Sequence, residues 1–468
     1  LRGDLDVFLD QGTQVSGNRA NRAAGVLMEG GPGFVRLWIG PGAQIRDNIA
    51  ETDGGGVWCW NLGFIEMVDS SVSFNEAGRD GGGLWMGNRC RLKVAATTGD
   101  ISQFNSNVAG TRLTGVGEGR GGALFYRSSE PFAATGFEID IGEASSTAGN
   151  TFVVGNRASN RLVNDDNGIG GGAFYLEGRS SQRVAMRVRD ALFVNNYSDV
   201  GAAISLNRAI NLLIEGRPGR CSGTFGIGWC SAFFDHRWKD PRIWSLISID
   251  PIDASAAALV PQLSLRRVRF TGNDVSHLVL DFSATSSASQ AHVDIESSLI
   301  DNNALGSLLA RYGNGSLRFS TVVGNSVRNP YLFLLAPLPS AGSTIRLDLT
   351  GSVVWQPGVA LRDDVLPGRT VELIHSNCLL SHTRNQLSVA DSVIVEPPQL
   401  DANFMPGPAS PALDVCNTFV PGDGRDAFGQ ARPVDQPGIP NRLGAHDLGA
   451  IERPLSALPP EIFANGFE

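Results

Sequence analysis

Two short signatures alternate along this chain, and their spacing leaves few folds open. One is an apolar run ending in asparagine: VSGN at 15–18, IRDN at 45–48, VSFN at 72–75, FVVGN at 152–156, LFVNN at 192–196, FTGN at 270–273, LIDNN at 299–303 and VVGN at 322–325. The other is a glycine-rich strand start: GGGVW at 54–58, GGGLW at 81–85, GGALF at 121–125, GGAFY at 171–175 and GAAIS at 201–205. Asn18 to Asn48 and Asn273 to Asn303 are steps of 30 residues, and Asn48 to Asn75 is a step of 27. Short strands at this period, with almost no helical periodicity, predict an all-β chain wound as a single right-handed parallel β-helix of roughly ten or more coils.

Each signature has a place in such a coil. Asparagine tolerates left-handed backbone angles, so it is expected at the turn, with its amide hydrogen-bonded along the axis from coil to coil. The glycines after it allow a sharp path and close contact between coils. Alternation then assigns faces. Val57, Leu84, Leu124, Phe174 and Ile204 form one apolar column, and Cys59, Met86, Tyr126, Leu176 and Leu206 another, so both point inward. By the same parity Gly56, Gly83, Ala123, Ala173 and Ala203 are expected outside, together with Trp58, Trp85, Phe125, Tyr175 and Ser205.

The 468 residues fall into coils over 1–400, a closing segment at 401–452 and a tail at 453–468. Loops project at TRLTGVGEGR and NRASNRLVNDDNGI, and a larger insertion occupies about 216–260 with CSGTFGIGWC and FFDHRWKDPRIW. A hydrophobic content of 42% excludes general disorder and supplies a core. Lys93 and Lys239 are the only lysines, and the arginines scatter without forming a basic stripe, which argues against nucleic acid as a partner. No apolar run reaches the ~20 residues of a transmembrane helix. The chain starts at Leu1 within a strand-like run, as expected of a processed or truncated form.

Six cysteines, at 59, 90, 221, 230, 378 and 416, lack zinc-site spacing and suit an oxidising compartment. Pairing of neighbours would give Cys59–Cys90, Cys221–Cys230 and Cys378–Cys416, although spacing leaves the connectivity open.

The paired motifs resemble the repeats of polymorphic outer-membrane proteins and related pectate-lyase-like β-helices. The C-terminal part resembles the bacterial choice-of-anchor Q family, through Ser410-Pro411-Ala412-Leu413-Asp414, then Asp426, Gly429 and Arg432-Pro433, then Asp447, Gly449, Ala450 and Glu452. That resemblance spans roughly residues 270 to 452. It implies an exported, often surface-associated β-helix and carries over no catalytic residue. The ending PPEIFANGFE is similar to the short IF-x-D-G-F-E tails of some exported bacterial proteins, with Asn465 in the Asp position. Asp414, Asp426, Arg432 and Asp447 read as polar turns closing the last rung rather than as an active site.

Candidate chemistry is sparse. Trp58, Trp85, Phe125 and Tyr175 would form an outward aromatic column, a platform for sugars or a protein, with mutual stacking as its structural alternative. His236, Arg237 and Lys239, with Asp235 and Asp240, could supply the base and cation of a polysaccharide lyase. A hydrolase would instead use aspartates such as Asp80, Asp165, Asp166 or Asp199. The six histidines show no HExxH or paired spacing, so no metal or cofactor is expected; calcium would have no loop of recognisable spacing. The expected role is a secreted or outer-cell-surface bacterial adhesin, binding polysaccharide or another surface component without turnover. A polysaccharide lyase or glycoside hydrolase is the first alternative. A structural surface or filament component that self-associates is the second.

Overall fold

The structure is a computed structural model. It describes residues 3–31, 33–97, 100–112, 119–130, 136–142, 150–159, 170–179, 182–218, 228–237, 244–249, 259, 261–281, 292–311, 313–335, 344–363, 370–387, 392–417 and 424–455.

Strands of two to eight residues follow one another around each coil, too short to bury a face unless copies stack on them. Leu5–Leu9, Gln14–Ser16 and Val26–Glu29 make the first coil, and Val35–Ile39, Gln44–Arg46 and Val57–Trp60 the second. Every strand pairs in parallel with its counterpart one coil on, as in Leu5↔Val35, Gln14↔Gln44 and Val26↔Val57. Stacking yields three 12-stranded sheets, a parallel β-helix. We call them sheets I, II and III in the order the chain enters them. A five-stranded ladder from Arg19–Ala20 to Arg157–Ala158 lies between sheets II and III.

Register puts like on like. Phe193, Phe233 and Phe270 occupy one inward column of sheet II and stack, Phe193 on Phe233 at 4.6 Å and Phe233 on Phe270 at 5.1 Å between ring centroids. The inward columns expected for sheet III are buried in the same core. Cys59 and Cys90 pair inside it. Cys378 and Cys416 pair between the last coil and the closing segment, while Cys221 lies outside the described residues.

Two expectations are corrected. Ala123, Ala173 and Ala203 belong to the core, not the outside. They precede the first strand residue of sheet III, so strand alternation has not begun there. A Cβ at Gly56 would meet the Gly83 carbonyl and the buried Asn75 side chain, so this position too faces the neighbouring coil and not solvent. The asparagines, moreover, do not take the left-handed turn. That conformation belongs to the residue before each of them: Gly17, Asp47, Phe74, Ser106, Gly155, Asn195, Gly272, Asn302 and Gly324 all have φ between 48° and 69°.

The asparagines hydrogen-bond instead. Asn48 donates through its backbone N–H (3.2 Å) and Nδ2 (3.0 Å) to Asn75 Oδ1, and through Nδ2 to the Val15 carbonyl (2.9 Å). The pattern repeats through Asn107, Asn156 and Asn196, and again from Asn273 through Asn303 to Asn325. It satisfies buried backbone groups at a corner where no sheet can.

The closing segment, expected at the last rung, makes its described apolar contacts on the side of the solenoid. It lies along the outer face of the C-terminal coils of sheet II, where Leu299, Thr321, Val353 and Leu380 form one outward column in register. Ala412, Val415 and Leu448 pack with Val353 and Leu380, and Ala450 and Ile451 with Leu299 and Trp229. An apolar column on a sheet exterior requires a cover, and these residues provide it.

Candidate functional site

The outer face of sheet III carries the aromatic column in the predicted order, in register from Leu27 through Trp58, Trp85 and Phe125 to Tyr175. The rings stack continuously: Trp58 on Trp85 at 5.1 Å, Trp85 on Phe125 at 5.7 Å and Phe125 on Tyr175 at 5.3 Å. The expected exposure is not found. Phe125 and Tyr175 are 0% exposed and Trp58 only 7%; Trp85 is half-buried. Four rings in contact hide each other's faces, and arginines cover what remains. Arg120 sits 5.0 Å from the Phe125 centroid and 5.1 Å from Tyr175, and Arg22 lies 5.3 Å from Trp58.

What stays open is the N-terminal end of the column. Trp60, two residues from Trp58 on the same outward parity, is half-buried and lies 6.2 Å from Trp58 and 5.8 Å from Trp85. Its ring rests on Gly87 of the next coil, where a Cβ would collide with it. Three indoles from two rungs therefore form one cluster, with glycine beneath Trp60. Alternation puts Trp60 on the same outward parity as Trp58, and the sequence signal for its seat is Gly87, which follows Met86 as Trp60 follows Cys59.

Beside the covered rings, charge is consumed internally. Arg120 makes three bonds to Asp80, its backbone N–H and Nε to Oδ1, each at 3.0 Å, and NH2 to Oδ2 at 2.6 Å. Burial alone would weaken the arginine's charge, but Asp80 more than offsets this and its pKa is raised. Glu177 is fully buried, and burial alone would raise its pKa. Arg127 and Arg179, each at 2.6 Å, outweigh burial and lower it, keeping it ionised. Burial pushes the Tyr175 phenol up to about 12. A buried carboxylate held ionised by two arginines has no proton to give and little tendency to take one. Asp199 accepts from the Tyr197 hydroxyl at 2.8 Å, and Asp165 and Asp166 lie outside the described residues.

The lyase candidates do not converge. His236 is fully buried and occupies the asparagine position of its coil, its Nδ1 2.9 Å from Asn273 Oδ1 and its Nε2 3.5 Å from Asn196 Nδ2. Burial lowers its pKa to about 4. Asp235 before it takes the left-handed turn at φ 58°. FFDH at 233–236 is thus the same tetrad as VSFN or FTGN with histidine for asparagine, an alignment that the sequence would have allowed. Arg237 points to solvent and pairs with Asp235 at 2.7 Å. Lys239 and Asp240 lie outside the described residues.

The closing-segment carboxylates are structural in every contact. Asp426 accepts from the backbone N–H groups of Phe428, Gln430 and Glu452, each at 2.8 Å. Asp447 accepts from Asp414 and Arg453 N–H, and Glu452 from Arg432 NH1 at 2.9 Å and from Val434 N–H. Asp414 accepts from Gln436 N–H, and burial raises its pKa to about 7. Among the described residues no group of three His, Cys, Asp or Glu is placed to hold a metal ion, and no helix is long and apolar enough to cross a membrane.

Comparison with known proteins returned no matching family profile, no matching curated protein and no matching solved structure.

Proposed function

We propose that this protein is an exported, non-catalytic binder of cell-surface or extracellular glycan, with Trp58, Trp60 and Trp85 as its contact cluster. The observation that supports it most is the placement of Trp60: a half-buried indole seated on Gly87, next to two more indoles. Pyranose rings stack on such surfaces through their C–H faces, and indole offers the largest one. The catalytic alternatives lose support because Asp80, Glu177 and His236 are each held by partners within the chain. Two disulfides are compatible with an oxidising, extracellular location, as is the resemblance to exported β-helices.

The test is a polysaccharide panel followed both for binding and for release of unsaturated products and reducing ends. Binding without turnover, weakened at least tenfold by Trp60→Ala or Trp85→Ala, is the expected result. Turnover abolished by Lys239→Ala would establish the lyase reading instead. Concentration-dependent assembly with no glycan bound would favour a structural component.

A further inference from the structure

The left-handed position before each ladder residue is filled by Gly, Asp, Asn or Ser in nine coils, at residues 17, 47, 106, 155, 195, 235, 272, 302 and 324. The tenth is Phe74, at φ 56°. A bulky side chain is disfavoured there, because its Cβ crowds the following carbonyl. Two other phenylalanines share this conformation, and packing accounts for both: Phe319 is buried against the closing segment, and Phe404 packs with Trp229 and Leu299. Phe74 is not packed into a core in this way: it is 46% exposed, with the Arg46 guanidinium over one face of its ring. Backbone strain of this kind clusters at ligand-contacting sites.

Its surroundings describe that partner. Phe74 ends the sheet II strand Ser71–Ser73, whose outward side chains are the two short hydroxyls Ser71 and Ser73, hydrogen-bonded to each other. Longer side chains stand in register on both sides: Gln44 and Gln103 flank Ser71, and Arg46 and Asn105 flank Ser73. The result is a trough one rung wide, with hydroxyls on its floor, amides on its walls and an aromatic ring at its end. The walls stand two rung spacings apart, about 9.6 Å between backbones. The one charged wall residue, Arg46, is paired with Asp47 at 2.7 Å and rests over one face of Phe74 at 5.7 Å. Among the described residues, the closing segment covers sheet II further along, at Leu299, Thr321, Val353 and Leu380.

We infer that this trough is a subsite for a neutral oligosaccharide, with one sugar ring stacked on Phe74 and its hydroxyls bonded to Gln44, Gln103 and Asn105. An uncharged set of donors and acceptors beside one aromatic ring matches an uncharged polyhydroxylated ligand. An acidic chain would find its only counter-ion already taken. The inference rests on the glycan-binding reading above but uses a different surface.

Cellohexaose, mannohexaose and maltohexaose, with hexagalacturonate as the charged comparison, are titrated into the full chain, Phe74→Asn and Trp60→Ala. Asparagine suits the left-handed turn, so Phe74→Asn is expected to melt no lower than the parent, which separates lost contact from lost fold. The expected result is that a neutral hexasaccharide binds the parent, binds Phe74→Asn at least tenfold more weakly, and perturbs the amide signals of Gln44, Gln103 and Asn105 even in Trp60→Ala. Undiminished binding to Phe74→Asn, or a preference for hexagalacturonate, overturns the trough while leaving the tryptophan cluster in place. Failure of every hexasaccharide to bind the parent overturns both.

Discussion

His236 replaces asparagine in the ladder without breaking it: its Nδ1 donates to Asn273 Oδ1 at 2.9 Å, and its Nε2 faces Asn196 Nδ2 at 3.5 Å. Only one tautomer of the neutral ring fits, with the proton on Nδ1. A second proton on Nε2 would point at the Asn196 amide hydrogens, which compounds the burial that already lowers its pKa to about 4.

This makes His236 an acid-sensitive point in the solenoid. The unfolded chain takes up a proton as pH falls through about 6.5, and the folded one resists until about 4. Stability is therefore lost on acidification across that window, at about 1.4 kcal/mol per pH unit for this group. His236→Asn restores the prevailing ladder residue and is expected to fold as stably as the parent at pH 7, with a flatter profile between pH 6.5 and 4. His236→Ala should be destabilised at both. Denaturant titration across pH reads all three; an unchanged slope in His236→Asn would remove the assignment.

Asp414 acts in the opposite direction. Burial raises its folded pKa to about 7, so the folded chain holds a proton that the unfolded one releases from about 3.8 upward. Its contribution is complete below about 3.8 and is lost as pH rises towards 7. Asp414→Asn keeps an acceptor for the Gln436 N–H and removes the titration. Above pH 7 it should melt higher than the parent, an advantage that shrinks on acidification and is read by scanning fluorimetry.

Asn107→Ala tests the ladder itself. The substitution strips Oδ1 from the Asn75 N–H (3.1 Å) and Nδ2 (3.0 Å), and takes the Nδ2 donor from the Val72 carbonyl (2.9 Å). Orphaning these buried groups is expected to cost about 3 kcal/mol or more. Asn18→Ala, at the exposed N-terminal end of the ladder, should cost far less. Equal losses in the two variants would mean that burial does not set the ladder's value.

Gly87→Ala tests the seat of Trp60. The added methyl collides with the indole and must lift it from the next coil. A shift in tryptophan emission is expected, and the glycan affinity assigned to the cluster should fall together with that of Trp60→Ala. Emission and binding that both match the parent would show that Trp60 does not lie there.

The aromatic column shows how far reading residues in order can reach. Order, register and outward parity of Trp58, Trp85, Phe125 and Tyr175 followed from alternation, because a strand has only two faces. That they are covered did not follow, since only the fold shows the Arg120 guanidinium turned back from the residue before the glycine start over Phe125 and Tyr175. The closing segment shows the same limit. Its motifs were visible, but the outer face of sheet II that they cover was not, since position along the chain does not say against which side a segment docks.

The repeat alone determined the coil. A chain that returns every 27 to 30 residues with the same short pattern can satisfy its backbone only by pairing each strand with its own copy, and each column then inherits one chemical character. Tertiary structure decided what each column means. Histidine at 236 is a catalytic candidate as a letter and a hydrogen-bonding rung in place, because burial and the facing amides of Asn196 and Asn273 set its protonation state. Phenylalanine at 74 is one apolar residue among many in the sequence. Only its φ of 56° and its exposed ring set it apart from the core.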